Sequence, residues 1–326
     1  MLKPEKSSLM LTDFGPRRAT MREEVLAGLQ SHPKTLPSKY FYDRAGSCLF
    51  DEICELEEYY PTRTELVIMQ NSMAEIVACI GPHCQLIEYG SGSSTKTRLL
   101  LDALPEPSAY VPIDISKEYL LQSAGALLSR YPGLEVYPVC ADYTTAFTVP
   151  EPLKPVTRRV AYFPGSTIGN FDQQQARSFL EGVARICQGG GLLIGVDLKK
   201  DANMLHRAYN DRMGVTALFN LNLLVRLNSE LRANFQLEQF AHYAFYQPEA
   251  GRIEMHLVSL TEQLAGLDGV QIPFKLGESI WTESSYKYTL EEFAQLAATA
   301  GFTVQQVWTD SRQHFSIQYL TADHVL

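Results

Sequence analysis

The chain has 326 residues and is acidic, with 28 Lys and Arg against 37 Asp and Glu and a net charge of -9. This length allows one large domain or two modest ones, and the negative charge disfavours proteins that bind nucleic acid through its phosphates. No apolar run approaches the roughly 20 residues that span a bilayer. The opening segment MLKPEKSSLMLTDFGPRR lacks the apolar core and cleavage site of a signal peptide. We therefore expect a cytoplasmic protein without nucleic-acid or membrane partners.

The N-terminal segment, to about Tyr60, combines a helix with an aromatic-rich stretch. ATMREEVLAGLQSHP has the apolar spacing of a helix that ends at Pro33. The aromatic stretch KYFYDRAGSCLFDEICELEEYYPTR follows, and a second helix, TRTELVIMQNSMAEIVACI, ends at Gly81 and Pro82. The six cysteines form no C-x-x-C pair, so we expect buried, reduced thiols and neither a zinc site nor a disulfide framework.

After Pro82 the pattern alternates between strands and helices. Strands are predicted for QLIEYG, AYVPIDIS, LEVYPVCADY, RRVAYFPG and LLIGVDL. Helices are predicted for KTRLLLDAL, KEYLLQSAGALLSRYPG and QQQARSFLEGVARICQGGG. This alternation is typical of a parallel sheet with right-handed crossovers and helices on both faces.

The alternation stops between about Lys199 and Tyr286. This stretch holds one long helical run, NMLHRAYNDRMGVTALFNLNLLVRLNSEL, and two strand-like runs, QFAHYAFYQ and RIEMHLVSL. The C-terminal stretch returns to a helix, a turn at Gly301 and two strands, which fit as the last elements of the parallel sheet. We predict an α/β protein whose Rossmann-like sheet uses residues 61–198 and 287–326. Residues 1–60 and 199–286 would form a second, inserted α+β domain, with a ligand cleft between the two.

The stretch LIEYGSGSSTKTRLLLDAL predicts a strand, a glycine turn and a helix. Gly90 and Gly92 allow the backbone to approach a ligand that a Cβ would obstruct. Thr95 stands where the dinucleotide fingerprint G-x-G-x-x-G has its third glycine, and the P-loop pattern has no match. The turn therefore predicts a ligand at the carboxyl ends of the strands, without deciding between a dinucleotide and another adenosine compound.

Polar residues close the next two predicted strands. Asp114 is placed to accept hydrogen bonds from ribose hydroxyls, and Asp142 can accept from an adenine amino group while Tyr143 lies against the ring. Each Asp taken alone is equally consistent with a helix cap. Their order resembles the class I S-adenosylmethionine-dependent methyltransferases, as do CQGGGLLIGVDL and the two closing strands. That resemblance implies S-adenosylmethionine as methyl donor, no metal, and Lys96 near the carboxylate of its methionine moiety.

Four further stretches narrow the resemblance. They are KYFYDRAGSCLFDEI with EYYPTRTE, then YFPGSTIGNF, AYNDRMGVTALFNLN and WTESSYKY. Together they resemble the L-histidine Nα-methyltransferases of ergothioneine biosynthesis, over almost the whole chain and including the inserted segment. The resemblance implies three methyl transfers to the α-amine of histidine, which give the trimethylammonium betaine hercynine. Histidine would be the small-molecule partner, and we expect a monomer.

The resemblance also implies roles for individual residues. Asn170 and Tyr209 would hold the substrate carboxylate. Glu283, Ser285 and Tyr60 would bind the imidazole. Tyr42 would act near the amine as the catalytic residue, and Met255 would line the pocket. The cofactor-binding positions would be Gly90, Lys96, Asp114, Asp142 and Tyr143.

Two positions depart from the family pattern, and other functions stay open. Tyr40 stands where the family has Trp and Tyr143 where it has Phe, but both keep a ring. Some family members act on tryptophan-like amino acids; Glu283 and Ser285 favour histidine, because an indole pocket needs no such polar pair. A nicotinamide-dependent oxidoreductase is disfavoured by the missing third glycine. A catalytically silent module that binds histidine or the cofactor is the remaining alternative.

Overall fold

The computed structural model describes residues 11–15, 18–92 and 95–322. The helices, in chain order, are α1 (Arg18–Gln30), α2 (Arg44–Glu55), α3 (Tyr60–Ile80), α4 (Thr95–Ala103), α5 (Lys117–Arg130), α6 (Gln173–Ile186), α7 (Ala202–Tyr209), α8 (Val215–Leu231) and α9 (Leu290–Thr299). The strands are β1 (Thr12–Phe14), β2 (Lys34–Thr35), β3 (Cys84–Tyr89), β4 (Ala109–Asp114), β5 (Glu135–Val136), β6 (Val139–Ala141), β7 (Arg158–Phe163), β8 (Gly191–Asp197), β9 (Phe240–Gln247), β10 (Arg252–Ser259), β11 (Gln263–Leu267), β12 (Val270–Phe274), β13 (Ser279–Tyr286), β14 (Phe302–Thr309) and β15 (Phe315–Ala322). Short 3₁₀ helices span Ser38–Phe41, Thr167–Asn170 and Leu237–Gln239.

Within the described chain, the larger sheet has nine strands in the order β1-β6-β4-β3-β7-β8-β15-β14, with β5 beside β4. In this order, every neighbouring pair from β1 through β6, β4, β3 and β7 to β8 runs parallel, and β15 runs antiparallel to both β8 and β14. Successive residues of β3 enter different cores: Ile87 packs with α6 and α9, whereas Leu86 packs with α3, α4 and α5. Helices therefore cover both faces, which is why every residue of β3 and β8 is buried. The predicted α/β, Rossmann-like fold class is confirmed.

The parallel strands bring their carboxyl ends to one edge of this sheet. Tyr89 pairs with Ile113, and Asp114 pairs with Cys140 near the end of β6. The loops that follow β3, β4, β6, β7 and β8 consequently meet there. This edge is where an open parallel sheet of this type binds ligands.

In the part of the chain that the structure describes, a smaller sheet has four strands in the order β2-β13-β10-β9. Its inner face packs on α1, α2, α7 and α8 around one apolar core. Strand β13 contains WTESSY, for which no strand was predicted, and its register with β10 shifts between Met255 and His256. The extra residue of this bulge, Thr282, changes the alternation of side chains. As a result Glu283, opposite Met255, faces inward, and so does Ser285, opposite Ile253.

Some elements differ from the sequence prediction. The single strand predicted for LEVYPVCADY is divided into β5 and β6, because Pro138 between them has no N–H for a strand ladder. The long helical run is divided into α7 and α8, with Gly214 at a φ of 73° before α8. Of the thiols expected to be buried, Cys48 is exposed.

The domain division needs one change. Strand β1 was assigned to the second domain, yet Thr12–Phe14 pairs with β6 in the larger sheet. We propose that the two sheets with their helices are the two expected domains, with this strand moved to the larger one. Among the described helices, none combines the length and the hydropathy needed to cross a membrane.

Candidate active site

The backbone of the glycine turn after β3 is open at Gly90. Gly90 has a φ of 74°, and a Cβ added there would meet no atom of the described residues within 4 Å. The backbone N–H groups of Gly90 and Ser91 both donate to the Ile113 carbonyl, at 2.8 and 3.3 Å. The buried Oγ of Ser91 has no hydrogen-bond partner among the described residues. An unpartnered hydroxyl beside an open glycine is what a turn that receives a polar ligand requires.

Asp114 lies directly beside this turn. Its carboxylate accepts from the backbone N–H of Ser116 at 2.9 Å and of Gly92 at 3.5 Å. Burial raises the pKa of Asp114, and these backbone donors oppose the rise. A carboxylate has about four acceptor positions, so capacity for two ribose hydroxyls remains.

Asp142 and Tyr143 follow β6 on the same edge. Asp142 accepts from the Lys39 Nζ at 2.8 Å and from the Thr144 N–H at 3.0 Å. Burial alone would raise the pKa of Asp142, but Lys39 and Thr144 outweigh it and lower the pKa. The half-buried Tyr143 ring packs edge-on against Tyr89, at 6.0 Å between ring centroids. Lys39 comes from the 3₁₀ helix Ser38–Phe41, and no sequence pattern pointed to it.

Lys96 lies near the turn, but its ammonium is paired with the buried carboxylate of Glu65. Glu65 also accepts from the backbone N–H of Gly165 at 3.0 Å. Gly195 makes room for it, since a Cβ there would lie 2.3 Å from a Glu65 oxygen. Glu65 was not predicted, because a glutamate within a helix usually faces solvent.

A cavity of about 390 Å³, including its opening, lies between the two sheets. Five of the predicted substrate-site and catalytic residues line it: Tyr42, Asn170, Tyr209, Glu283 and Ser285. The residues at its wall that were not predicted include Phe50, Tyr59, Asp197 and Lys287. Segments far apart in the sequence therefore meet around one cavity.

Two predicted residues do not line this cavity. The Tyr60 hydroxyl donates to Asp197, at 2.8 and 2.9 Å from its two oxygens, and accepts from Lys200 at 2.7 Å. Its neighbour Tyr59 lines the cavity instead. Met255 is 2% exposed in the core of the smaller sheet, behind Glu283. Which of two adjacent tyrosines faces the cavity depends on how α3 begins, and the sequence does not decide that.

Glu283 has no hydrogen-bond partner for its carboxylate among the residues described. Burial raises the pKa of Glu283 to about 7, although the nearby Lys287 ammonium lowers it. A half-buried carboxylate that has lost part of its hydration and has no protein donor is costly. It therefore indicates a position that a ligand N–H completes.

A buried network of charges lies behind Ser285. Asp197, at the end of β8, is 2.7 Å from the Lys287 ammonium and 2.5 Å from that of Lys200. Burial by itself would raise the pKa of Asp197, but these two cations lower it. Lys287 also donates to Ser285 at 2.7 Å and to the Tyr209 hydroxyl at 3.1 Å. Lys287 follows Glu283 and Ser285 at the strand period of two, a signal that WTESSYKY contains.

Aromatic rings form the other wall. Tyr42, Phe50, Tyr59 and Tyr209 follow one another edge-on, with centroid distances of 5.8, 6.2 and 6.3 Å. Burial raises the pKa of Tyr42 well above its usual value, and the charges of Glu283 and Asp114 add to the rise. Tyr42, which lines the cavity, is therefore a neutral phenol. The described residues include no His, Cys, Asp and Glu cluster that could hold a metal ion.

The Rossmann-like sheet, with a glycine turn after β3 and the half-buried Asp114 at the end of β4, has the arrangement of the class I S-adenosylmethionine-dependent methyltransferases. The profile described as "Histidine-specific methyltransferase, SAM-dependent" matches residues 21–322. The chain belongs to this family.

Individual relatives agree with the family match. The Histidine N-alpha-methyltransferase of Mycolicibacterium smegmatis is 42% identical over 305 residues, which cover 91% of this chain and 93% of that protein. The Mycobacterium tuberculosis protein of the same name is 40% identical with the same coverage. Ergothioneine biosynthesis protein 1 of Neurospora crassa is 29% identical over 86% of this chain, which corresponds to 32% of that longer protein.

Proposed function

We propose that this protein transfers three methyl groups from S-adenosylmethionine to the α-amine of L-histidine, the first step of ergothioneine biosynthesis. The observation that carries the proposal is the carboxylate of Glu283, which faces the cavity beside Ser285 and has no hydrogen-bond partner among the described residues. Membership of the histidine-specific family and the names of the relatives support the same reaction. We also propose a cytoplasmic monomer, because one chain supplies both sites and its six free thiols suit a reducing compartment.

The residues at the edge of the larger sheet fit S-adenosylmethionine, whose sulfonium sulfur carries the methyl group that is transferred. Asp114 would accept from the ribose hydroxyls, and Asp142 from the adenine amino group beside the Tyr143 ring. The open surface at Gly90 and the unpartnered Ser91 hydroxyl leave room for the methionine end. Lys96 would attract its carboxylate, with Glu65 holding the ammonium in place.

The cavity fits histidine at its two polar ends. The Glu283 carboxylate would accept from an imidazole N–H, next to Ser285, and Tyr59 would lie against the ring. Asn170 would donate its amide N–H to the substrate carboxylate. Gly169 lets the loop of Asn170 approach β13, since a Cβ there would lie 2.7 Å from the Tyr286 carbonyl oxygen.

Tyr209 is less suited to the carboxylate than was predicted. Its hydroxyl donates to Ser285 at 2.7 Å and accepts from Lys287. The hydroxyl hydrogen is therefore already used inside the wall of the cavity. We assign the carboxylate chiefly to Asn170, and to Tyr209 a place in the imidazole-binding wall.

The chemistry asks for positioning more than for a strong base. The α-nitrogen attacks with its lone pair, so the substrate ammonium must first lose a proton, and each methylated ammonium must do so again before the next transfer. Tyr42 stays protonated at neutral pH, so it can orient the amine by hydrogen bonding but does not remove its proton. Tyr42, Phe50 and Tyr59 line the cavity, and a ring face turned toward the amine would stabilise the growing cation, whose larger forms have fewer N–H donors.

Mass spectrometry of histidine incubated with the protein and S-adenosylmethionine tests this function. We expect a product heavier by three methyl groups, and an unchanged histidine would overturn the proposal. Calorimetry with L-tryptophan beside L-histidine tests the substrate. Tighter binding of tryptophan would reassign the protein within its family.

A further inference from the structure

All three N–H donors of the Lys287 ammonium are used inside the protein. They go to Asp197 at 2.7 Å, to the Ser285 hydroxyl at 2.7 Å and to the Tyr209 hydroxyl at 3.1 Å. The side chain is 1% exposed although it belongs to the cavity wall. A lysine ammonium has three hydrogens and no acceptor. Lys287 therefore has no hydrogen left for a substrate, and its effect on the cavity must pass through its neighbours.

The Ser285 hydroxyl can only donate to the cavity. A hydroxyl oxygen accepts two hydrogen bonds and donates one. Ser285 accepts from Lys287 at 2.7 Å and from Tyr209 at 2.7 Å, which fills both acceptor positions. No acceptor for its own hydrogen is found among the described residues. The hydrogen is consequently available to a ligand in the cavity that Ser285 lines.

We propose that Lys287 is a specificity-determining residue, which makes Ser285 a hydrogen-bond donor beside the acceptor Glu283 and so selects an uncharged imidazole ring. The inference rests on the proposed function and extends it. A neutral imidazole has one N–H for Glu283 and one bare nitrogen for Ser285. An indole has an N–H but no bare ring nitrogen, so it leaves the Ser285 hydrogen buried and unpaired. An imidazolium has two N–H groups, one of which would face the Ser285 hydrogen.

The charges around Lys287 allow it to be removed without orphaning Asp197. That carboxylate keeps Lys200 at 2.5 Å and the Tyr60 hydroxyl at 2.8 Å. Lys287→Met keeps the length of the side chain and removes its three donors. The Ser285 oxygen would then have an empty acceptor position, so its hydroxyl would no longer be restricted to donating to the cavity.

A double-mutant cycle tests the proposal, with calorimetric histidine affinities for the wild type, Lys287→Met, Ser285→Ala and the double variant. We expect each single change to weaken histidine binding about 5- to 100-fold, the range of one lost buried hydrogen bond. Because Lys287 acts through Ser285, the double variant should bind no more than about threefold more weakly than the weaker single variant. If the loss of affinity in the double variant equals the product of the two single losses, Lys287 acts independently of Ser285 and has a structural role only. That result would overturn the inference.

Several controls accompany the cycle. Lys199→Met is the matched lysine-to-methionine change, because Lys199 pairs with Glu292 at the surface. It should leave histidine affinity unchanged, and all variants should keep the wild-type affinity for S-adenosylhomocysteine. If Lys287→Met does not fold, it is replaced in the cycle by Asp197→Asn, Lys200→Met and Lys287→Met together, which removes the whole buried charge network. The same cycle with Ser285→Ala in that background is read in the same way. A wild type that does not bind histidine would refute the proposed function, whereas histidine binding with multiplying losses would refute only the role of Lys287.

Discussion

Two regions of the molecule are built in different ways. One is the edge of the larger sheet that carries Gly90, Asp114 and Asp142, here called the cofactor edge, and the other is the cavity between the two sheets. At the cofactor edge, Gly90, Asp114 and Asp142 lie at the end of a parallel strand or directly after one. Asp114 is held by the backbone N–H groups of Ser116, two residues away, and of Gly92, which follows the neighbouring strand β3. The cavity depends on side chains from distant segments, such as Asp197 bonded to Tyr60 and Lys287. A local construction can be predicted from sequence order, whereas the cavity depends on charges that only the folded chain brings together.

The largest expected effect separates the two regions at Glu283. Glu283→Ala should weaken histidine binding about 10- to 150-fold, as expected for the loss of a hydrogen bond to a charged group. Affinity for S-adenosylhomocysteine, measured by calorimetry on the same samples, should change less than twofold. Ser284→Ala, the adjacent change on the outer face of β13, serves as control. Parallel losses of both ligands would mean that Glu283 holds the fold and does not contact imidazole.

A change at Asp114 should have the opposite effect, with cofactor binding weakened and histidine binding kept. Asp114→Ala should weaken S-adenosylhomocysteine binding about 5- to 100-fold, because on the proposed assignment two ribose hydroxyls lose their charged acceptor. Histidine binding measured without cofactor should stay within a few-fold of the wild type. An unchanged cofactor affinity would contradict the ribose assignment. A strong loss of histidine affinity would instead show that the two regions are not separable.

The pH dependence of histidine binding should report the Glu283 carboxylate. Burial raises the pKa of this group to about 7, and accepting an imidazole N–H favours its ionised form. Binding therefore releases a proton near neutral pH, so affinity should fall about tenfold per pH unit below 7 and level off above about pH 8. Protonation of the free imidazole also weakens binding, with a pKa of about 6.5.

Glu283→Gln separates these two titrations. In the variant only the imidazole of the free histidine titrates, so the histidine affinity should change less steeply between pH 8 and pH 6. Calorimetry at matched ionic strength gives both curves. Identical slopes for the variant and the wild type would show that Glu283 does not titrate on binding.

The smallest expected effect lies at Lys39, where the two regions touch. Its ammonium joins the 3₁₀ helix Ser38–Phe41 to Asp142, with 2.8 Å between the charged groups. Lys39→Met should weaken S-adenosylhomocysteine binding about two- to fivefold, because Asp142 loses the cation that orients it and lowers its pKa. Lys117→Met, at a surface pair with Asp13, is the matched control. Equal affinities in the two variants would exclude Lys39 from the cofactor edge.

The sequence was more informative about the cofactor edge than about the cavity. Strand order alone placed Gly90, Asp114 and Asp142 together, because parallel strands end at one edge. In the cavity, family resemblance supplied Glu283 and Ser285, but it selected Tyr60 where the structure places Tyr59. The offset is one residue, and one residue at the start of a helix turns a side chain by about 100°.

Taken by itself, the sequence determined the alternation that builds the larger sheet, the glycine turn with its carboxylates and the family of the protein. These follow from local periodicity and from motifs that keep their order along the chain. Only the tertiary structure decided that a bulge at Thr282 turns Glu283 inward, and that Asp197 meets Lys287 behind Ser285. The register of β10 and β13 and the burial of opposite charges are properties of packing between distant segments, which local patterns do not encode.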